Sequence, residues 1–445
     1  MSRRPAAIAV CLVALAAVLS VGAQPTAQPA SSVRWVWSGG VTARSAVVNA
    51  RVARGGIPVR LLLFPAEAAA ATRERPFESV SDPNGMAAFD LTGLEPVAAY
   101  EYRVEPQGGA PMRGRFRTFG DGPWNFRIAF SACADTGSAS SVFDAIRDAK
   151  PDLFIHMGDL HYEDIGRNDA ERFRRAFDAV MGSLTQGRLY RSLPIAYMWD
   201  DHDFGPNGSD ASSASRPAAL AVYREFVPHY PLLDAGGSGI HQAFTMGRVR
   251  VIMTDQRSQR TSSWGLPADR TMLGAAQLQW LKDELTTATS APLVIWVNTV
   301  PWIASQGPGS DNWGSYAHER EAIANHVQRL GLTRRLVMLS GDAHMVAIDD
   351  GTHSNYATDA SPGARGFVVM HAAPLDRRTS MKGGPYSHGV SLQRGQFGLL
   401  DVADDGRNLT VELSGRDRTG APIKGMRVTF ACERLECGAA RSGGE

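Results

Sequence analysis

Five times along this chain a short apolar run ends in a loop that opens with residues able to hold a metal ion. Phe126 to Ala132 leads into Cys133-Ala134-Asp135, and Asp152 to Met157 leads into Gly158-Asp159-Leu160-His161-Tyr162. Pro194 to Met198 leads into Trp199-Asp200-Asp201-His202-Asp203, Pro292 to Val297 into Asn298, and Arg335 to Leu339 into Gly341-Asp342-Ala343-His344. Runs of this length, rich in branched and aromatic residues, read as buried strands. Between them lie helical patterns at Val142 to Ala149, at Ala170 to Met181 with an apolar stripe of Phe173, Phe177 and Val180, at Arg216 to Val227, and from Leu273 onward. Strands alternating with helices predict an α/β sheet, and such sheets gather ligands beyond the carboxyl ends of their strands. The loops should therefore share one rim.

The chain before this region reads differently. Val33 to Phe119 carries about seven short alternating runs separated by Gly39-Gly40, Gly55-Gly56 and similar breaks, which predicts a fibronectin-like or immunoglobulin-like β sandwich over 33–119. It contains no catalytic constellation, so a structural or accessory role is expected of it. Gly120-Asp121-Gly122-Pro123 marks the boundary, and the second domain is placed at 124–432. Paired strands are expected at Ile240 to Met246 and Arg248 to Thr254, and further strands from Phe397 to Phe430 with Asp404-Asp405-Gly406 as a hairpin turn.

Residues 1–23 combine Arg3 and Arg4, an apolar run from Ala7 to Val21 and small residues ending at Ala23, the pattern of an export signal, with 24–32 as a linker. General secretion is favoured over twin-arginine export because Pro5-Ala6 follows the arginine pair. The mature chain is expected to be periplasmic or secreted, without a transmembrane anchor, and monomeric; residues 433–445 are a tail. Cys432 and Cys437 are near enough in sequence for a local disulfide, which leaves Cys133 either as a small buried hydrophobe or as a metal ligand. Forty-six Lys and Arg against 45 Asp and Glu give no overall field toward nucleic acid or an anionic membrane, and no nucleic-acid-binding surface is evident.

Carboxylates, imidazoles and one thiolate on separate loops suit one or more di- or trivalent metals; the residues themselves allow manganese, zinc, iron or calcium. Asp159 alone, after a glycine, would suit a turn as well as a metal. Joined to Asp201, His202, Asp342 and His344 at strand ends, it favours the metal. The order of these motifs resembles the calcineurin-like metallophosphoesterases. Cys133 in the first motif, Tyr162 closing the second, Asp200-Asp201-His202-Asp203 in the third, Phe204 to Asn207, and Thr271 to Gly274 with Gln277 and Trp280-Leu281 are similar more closely to the alkaline phosphatase D family.

That resemblance implies a four-layer αββα sandwich behind the N-terminal β sandwich, and a metal pair of iron and calcium. It implies Asp159 as bridging ligand, Tyr162 and Cys133 on the more Lewis-acidic ion, Asp201 on the second, and Asp342 and His344 completing the shells, with Asp135 and Asn298 as further ligands. His202 matches the general acid, and the reaction is phosphomonoester or phosphodiester hydrolysis by a metal-bound hydroxide. Arg257 is a candidate phosphate clamp and Asn207 a candidate substrate contact. The substrate would be a small phosphoester or a phosphoester-containing polymer. The alternative is a secreted binding or adhesion protein on an inactive scaffold. His156 and His161 are expected to hydrogen-bond locally, Trp302, Trp313 and Tyr316 to line a wall or simply to pack, and the loops at Asn207–Pro217 and Ala304–His318 to shape a pocket.

Overall fold

A computed structural model describes residues 32–66, 74–233 and 239–432; the expected signal, most of the linker, the tail and Cys437 lie outside them. The first seven strands are β1 (Val33–Gly39), β2 (Ser45–Val52), β3 (Pro58–Pro65), β4 (Arg75–Val80), β5 (Met86–Thr92), β6 (Ala99–Pro106) and β7 (Met112–Arg117). They form two sheets, of order β1-β2-β5 and β4-β3-β6-β7. The period-two pattern explains the burial: along β6, Tyr100, Tyr102 and Val104 point inward while Glu101 is exposed. This half is also sealed onto the rest of the molecule. The Trp37 indole donates to the Phe226 carbonyl at 2.8 Å, the Asn49 amide donates to the same carbonyl at 3.0 Å, and the Trp35 indole donates to Asp178 at 2.8 Å.

Beyond it run β8 (Phe126–Ser131), α1 (Val142–Asp148), β9 (Leu153–Met157), α2 (Ala170–Met181), α3 (Gln186–Tyr190), β10 (Ile195–Met198), α4 (Asp201–Phe204) and α5 (Arg216–Phe226). Next come β11 (Gln242–Met246), β12 (Val249–Met253), α6 (Gly274–Thr287), β13 (Leu293–Asn298), α7 (Ala317–Arg329) and β14 (Leu336–Ser340). The chain closes with β15 (Val346–Asp349), β16 (Val368–Ala372), β17 (Val390–Ser391), β18 (Phe397–Asp404), β19 (Leu409–Arg416) and β20 (Pro422–Cys432). One sheet has the order β10-β9-β8-β18-β19-β20, the other β11-β12-β13-β14-β16-β15-β17.

Strands β8, β9 and β10 are mutually parallel, as are β12, β13 and β14. Parallel strands are covered on both faces, which their continuous apolar runs require. On β13, Leu293, Ile295 and Val297 join the core between the sheets, while Val294 and Trp296 pack with Leu281 and Leu285 of α6 and Ile323 and Val327 of α7. The αββα layering follows from this alternation. Helix α2 starts where the sequence predicts because Asp169 caps it, its carboxylate accepting from the Arg172 N–H at 3.1 Å. Trp302, Trp313 and Tyr316 are fully buried in the outer core, so they pack and form no exposed wall.

Candidate metal centre

Each parallel strand releases the chain at the same rim, and the backbone there is forced into an unusual conformation. Seven non-glycine residues among those described have positive φ, and four of them are expected ligands: Cys133 at 65°, Asp159 at 55°, Asp342 at 56° and His344 at 37°. Left-handed backbone of this kind costs on the order of 1–3 kcal/mol per residue and persists only where surrounding contacts impose it. Two glycines let the loops meet. A Cβ on Gly158 would lie 2.4 Å from the Asp200 Cβ, and one on Gly341 would lie 2.6 Å from the Met157 carbonyl oxygen of the other sheet. Backbone bonds then fasten Cys133 N–H to the Gly158 carbonyl (3.2 Å) and Ala134 N–H to the Asp159 carbonyl (2.9 Å).

Three groups of potential ligand atoms result, each with its atoms within 4.8 Å of one another: Cys133, Asp159 and His344; Asp159, Asp201 and His202; and Asp200, Asp201 and Asp342. Asp159 belongs to two of them, which suits a bridging carboxylate. The Tyr162 hydroxyl sits 2.6 Å from Asp159 Oδ2 and 3.1 Å from His344 Nε2. The Nδ1 of His344 is 2.5 Å from the Arg378 carbonyl, so it carries the proton and Nε2 is left with a lone pair facing the tyrosine.

The electrostatics describe a site built for cations. Asp200 Oδ2, Asp201 Oδ1 and Asp342 Oδ2 are buried with no hydrogen-bond partner among the described residues. Burial, then repulsion from Asp201 and Asp200, drives the Asp159 pKa well up. Burial also raises Asp200 well above its ordinary value and Asp342 to about 6, the latter against the pull of Lys382, whose ammonium is 2.5 Å from its carboxylate. The Cys133 thiol is raised strongly by burial and by Asp159 and Asp342. At Asp201 burial is again the largest influence and acts upward, but Arg257, His202 and the Gly208 N–H together outweigh it and the net shift is downward. Buried acids that repel one another are stabilised most simply by a bound cation. Soft sulfur and nitrogen on one side and carboxylates on the other fit two unlike ions.

Several expected residues have other duties. Asp135 is not among the converging groups: its carboxylate is held by Arg377 and by Arg394. Asn298 turns into the outer core, accepting from the Trp313 indole at 2.8 Å and donating to the Val300 carbonyl. Arg257 cannot clamp a phosphate, because it is completely buried. Its Nε donates to Asp200 at 2.6 Å and its terminal nitrogens to the Ser209 carbonyl and Asp311, so it holds the acids from behind. His161 makes the local bond expected of it, its Nδ1 accepting from the Glu163 N–H at 3.5 Å, whereas His156 does not. Among the described residues both nitrogens of His156 and Nε2 of His161 have no hydrogen-bond partner, and the rings lie among Phe154, Tyr190, Tyr197, Phe173 and Phe177.

Asp200, Asp203, Asp164 and Lys382 also shape the site, although the sequence assigns none of them a separate role. A second acid beside Asp201 at a buried strand end was the signal for Asp200. Asp203 ties the second and third loops together, accepting from Leu160 N–H (2.8 Å), Asp200 N–H (2.6 Å) and the Tyr197 hydroxyl (2.5 Å). Asp164 orients His202, with its carboxylate 2.6 Å from Nδ1. Nothing in the sequence distinguishes Lys382 from other surface lysines. Asn207 is exposed and lines, with Lys382, a cleft of about 340 Å³ beside the acids.

Two sheets that bring acids, histidines and a cysteine to a shared rim define a metallophosphoesterase fold. The PhoD-like phosphatase family model matches residues 128–382, and the chain belongs to that family. A solved structure of PhoD superposes with a TM-score of 0.71 at 17% identity, covering 94% of this chain and 95% of that one. The purple acid phosphatase PPD1 from yellow lupin (Lupinus luteus) superposes with a TM-score of 0.64 at 13% identity, covering 91% and 75%. At these identities both report the fold. No curated protein matches the chain in sequence.

Proposed function

We propose that this phosphatase is an exported, two-metal phosphoesterase acting on monoesters, diesters or both, with iron and calcium as the metal pair. The observation that carries this reading is the set of buried carboxylate oxygens of Asp200, Asp201 and Asp342 that lack a hydrogen-bond partner among the described residues, beside the Cys133, Asp159 and His344 group. Cys133, Tyr162 and His344 would hold one ion, Asp200, Asp201 and Asp342 the other, and Asp159 both. Metals there would supply positive charge to the phosphate oxygens and lower the pKa of water.

The remaining steps belong to the protein. His202 is the proton donor to the departing alkoxide. Its Nδ1 is engaged by Asp164, which leaves Nε2 to release the proton, and the Tyr162 ring, tilted by 35° with its centroid 4.1 Å away, packs against it and restricts its plane. Arg257 and Thr299 hold Asp200 through its other oxygen, at 2.6 and 2.9 Å. Lys382 adds a cation at the mouth of the cleft, where a phosphate would enter.

Metal analysis with turnover of nitrophenyl mono- and diesters tests the reading: the wild type should retain metal and hydrolyse at least one class, and Asp159→Ala should lose both properties. Wild-type protein that holds no metal, or a variant as active as wild type, would overturn it. For His202→Ala, kcat should fall by about 10²–10⁴ with alkyl phosphates and far less with nitrophenyl esters, whose leaving group needs no proton. An equal loss on both would remove the acid role.

A further inference from the structure

The cleft beside the acids has one feature that hydrolysis does not account for. Trp264 is 75% exposed on the loop between Arg260 and Arg270, and among the described residues no other ring stacks on it. An indole has a large flat face that gains from burial against a planar partner, and here that face lies open at the cleft. The ring is held in place. Gly309 N–H donates to the Ser263 carbonyl at 3.2 Å, and a Cβ on Gly309 would lie 2.2 Å from the indole Cζ2, so only glycine lets the ring rest against that backbone. Arg270 fastens the base of the loop, donating to the Gly265 carbonyl (2.8 Å) and to the Ser315 carbonyl (3.2 Å).

The ring also lines the cleft beside the acids. Trp264 shares the cleft with Asn207, Gly208 and Lys382. Gly208 N–H donates to Asp201 at 2.6 Å, and Lys382 contacts Asp342, so the cleft wall and the acidic group are joined. A phosphate over the acids would place its ester group in this space. The volume, about 340 Å³, is that of a small-ligand pocket.

We infer that Trp264 is a stacking platform for a planar, ring-bearing group esterified to the phosphate, which makes aryl- or nucleoside-type phosphoesters the preferred small substrates. This rests on the phosphoesterase reading and narrows its substrate class. Because the ring is exposed, its replacement leaves the core intact. Binding of phenylphosphonate and methylphosphonate to metal-loaded protein, measured by calorimetry, isolates the platform from turnover. Trp264→Ala should bind phenylphosphonate about ten-fold more weakly and methylphosphonate unchanged, and Trp264→Phe should recover most of the loss. In turnover, KM for 4-nitrophenyl phosphate should rise about ten-fold with kcat nearly constant, while glycerol phosphate is unaffected. Equal weakening of both phosphonates, or of neither, overturns the platform. Failure of the wild type to hydrolyse any phosphoester would remove the catalytic reading, with the phosphonate comparison still deciding this one.

Discussion

At the scale of the residue, the decisive property is where each polar atom finds its partner. Arg257 looks like a phosphate clamp in sequence because a guanidinium fits two phosphate oxygens, yet burial commits it to Asp200 and Asp311. Removing one partner of such a buried network leaves uncompensated charge. Arg257→Ala should therefore destabilise the protein by about 3–5 kcal/mol in denaturant unfolding. A clamp would instead raise KM and leave stability unchanged. His156 makes the complementary point. Burial lowers its pKa from 6.5 to about 3, so the folded state refuses a proton that the unfolded chain accepts. The stability tied to this neutral ring is complete above pH 6.5 and is lost as pH falls toward 3. By pH 4 the loss is ~3 kcal/mol, and His156→Leu should move the acid-unfolding midpoint to lower pH. A midpoint that stays put or rises would contradict this.

At the scale of the element, the strand-to-loop junction is the unit that the sequence displays best and specifies least. Apolar runs ending in acids were plain, and helix α2 could be placed from its stripe. What the runs do not display is how close two loops must come. Gly158 has φ 93°, and a Cβ there would collide with Asp200. Gly158→Ala should cost about 2–4 kcal/mol and force the second and third loops apart. The expected outcome is a lowered Tm together with reduced metal content, and a variant that keeps its full metal complement would show that the loops can yield. The same limit explains Asn298. Its place at the end of β13 matched a ligand position, but strand position does not say which way an amide turns, and Trp313 captures it.

At the scale of the whole molecule, the N-terminal sandwich and the α/β half were separable by pattern but are continuous in packing. Trp35 and Trp37 pack on Phe226 and Phe177, and the core of buried side chains runs across both halves without a break. Trp37→Ala should cost about 3–5 kcal/mol and lower the midpoint of a single unfolding transition seen by both circular dichroism and loss of activity. Two separate transitions would mean that the sandwich unfolds alone. The continuous apolar runs of β13 and β14 match strands buried on both faces.

The sequence by itself determined the α/β class, the strands that end in the rim loops, most of the candidate metal ligands and, through its motifs, the family, because periodicity and loop chemistry are local. Which members of that set converge was decided only by tertiary structure. Asp200 joined the acids and Asp135 left them through contacts with Arg257 and Thr299 on one side and Arg377 and Arg394 on the other. These partners lie far along the chain, from 57 to 259 residues away. No local pattern encodes them; the packing of one sheet against the other does.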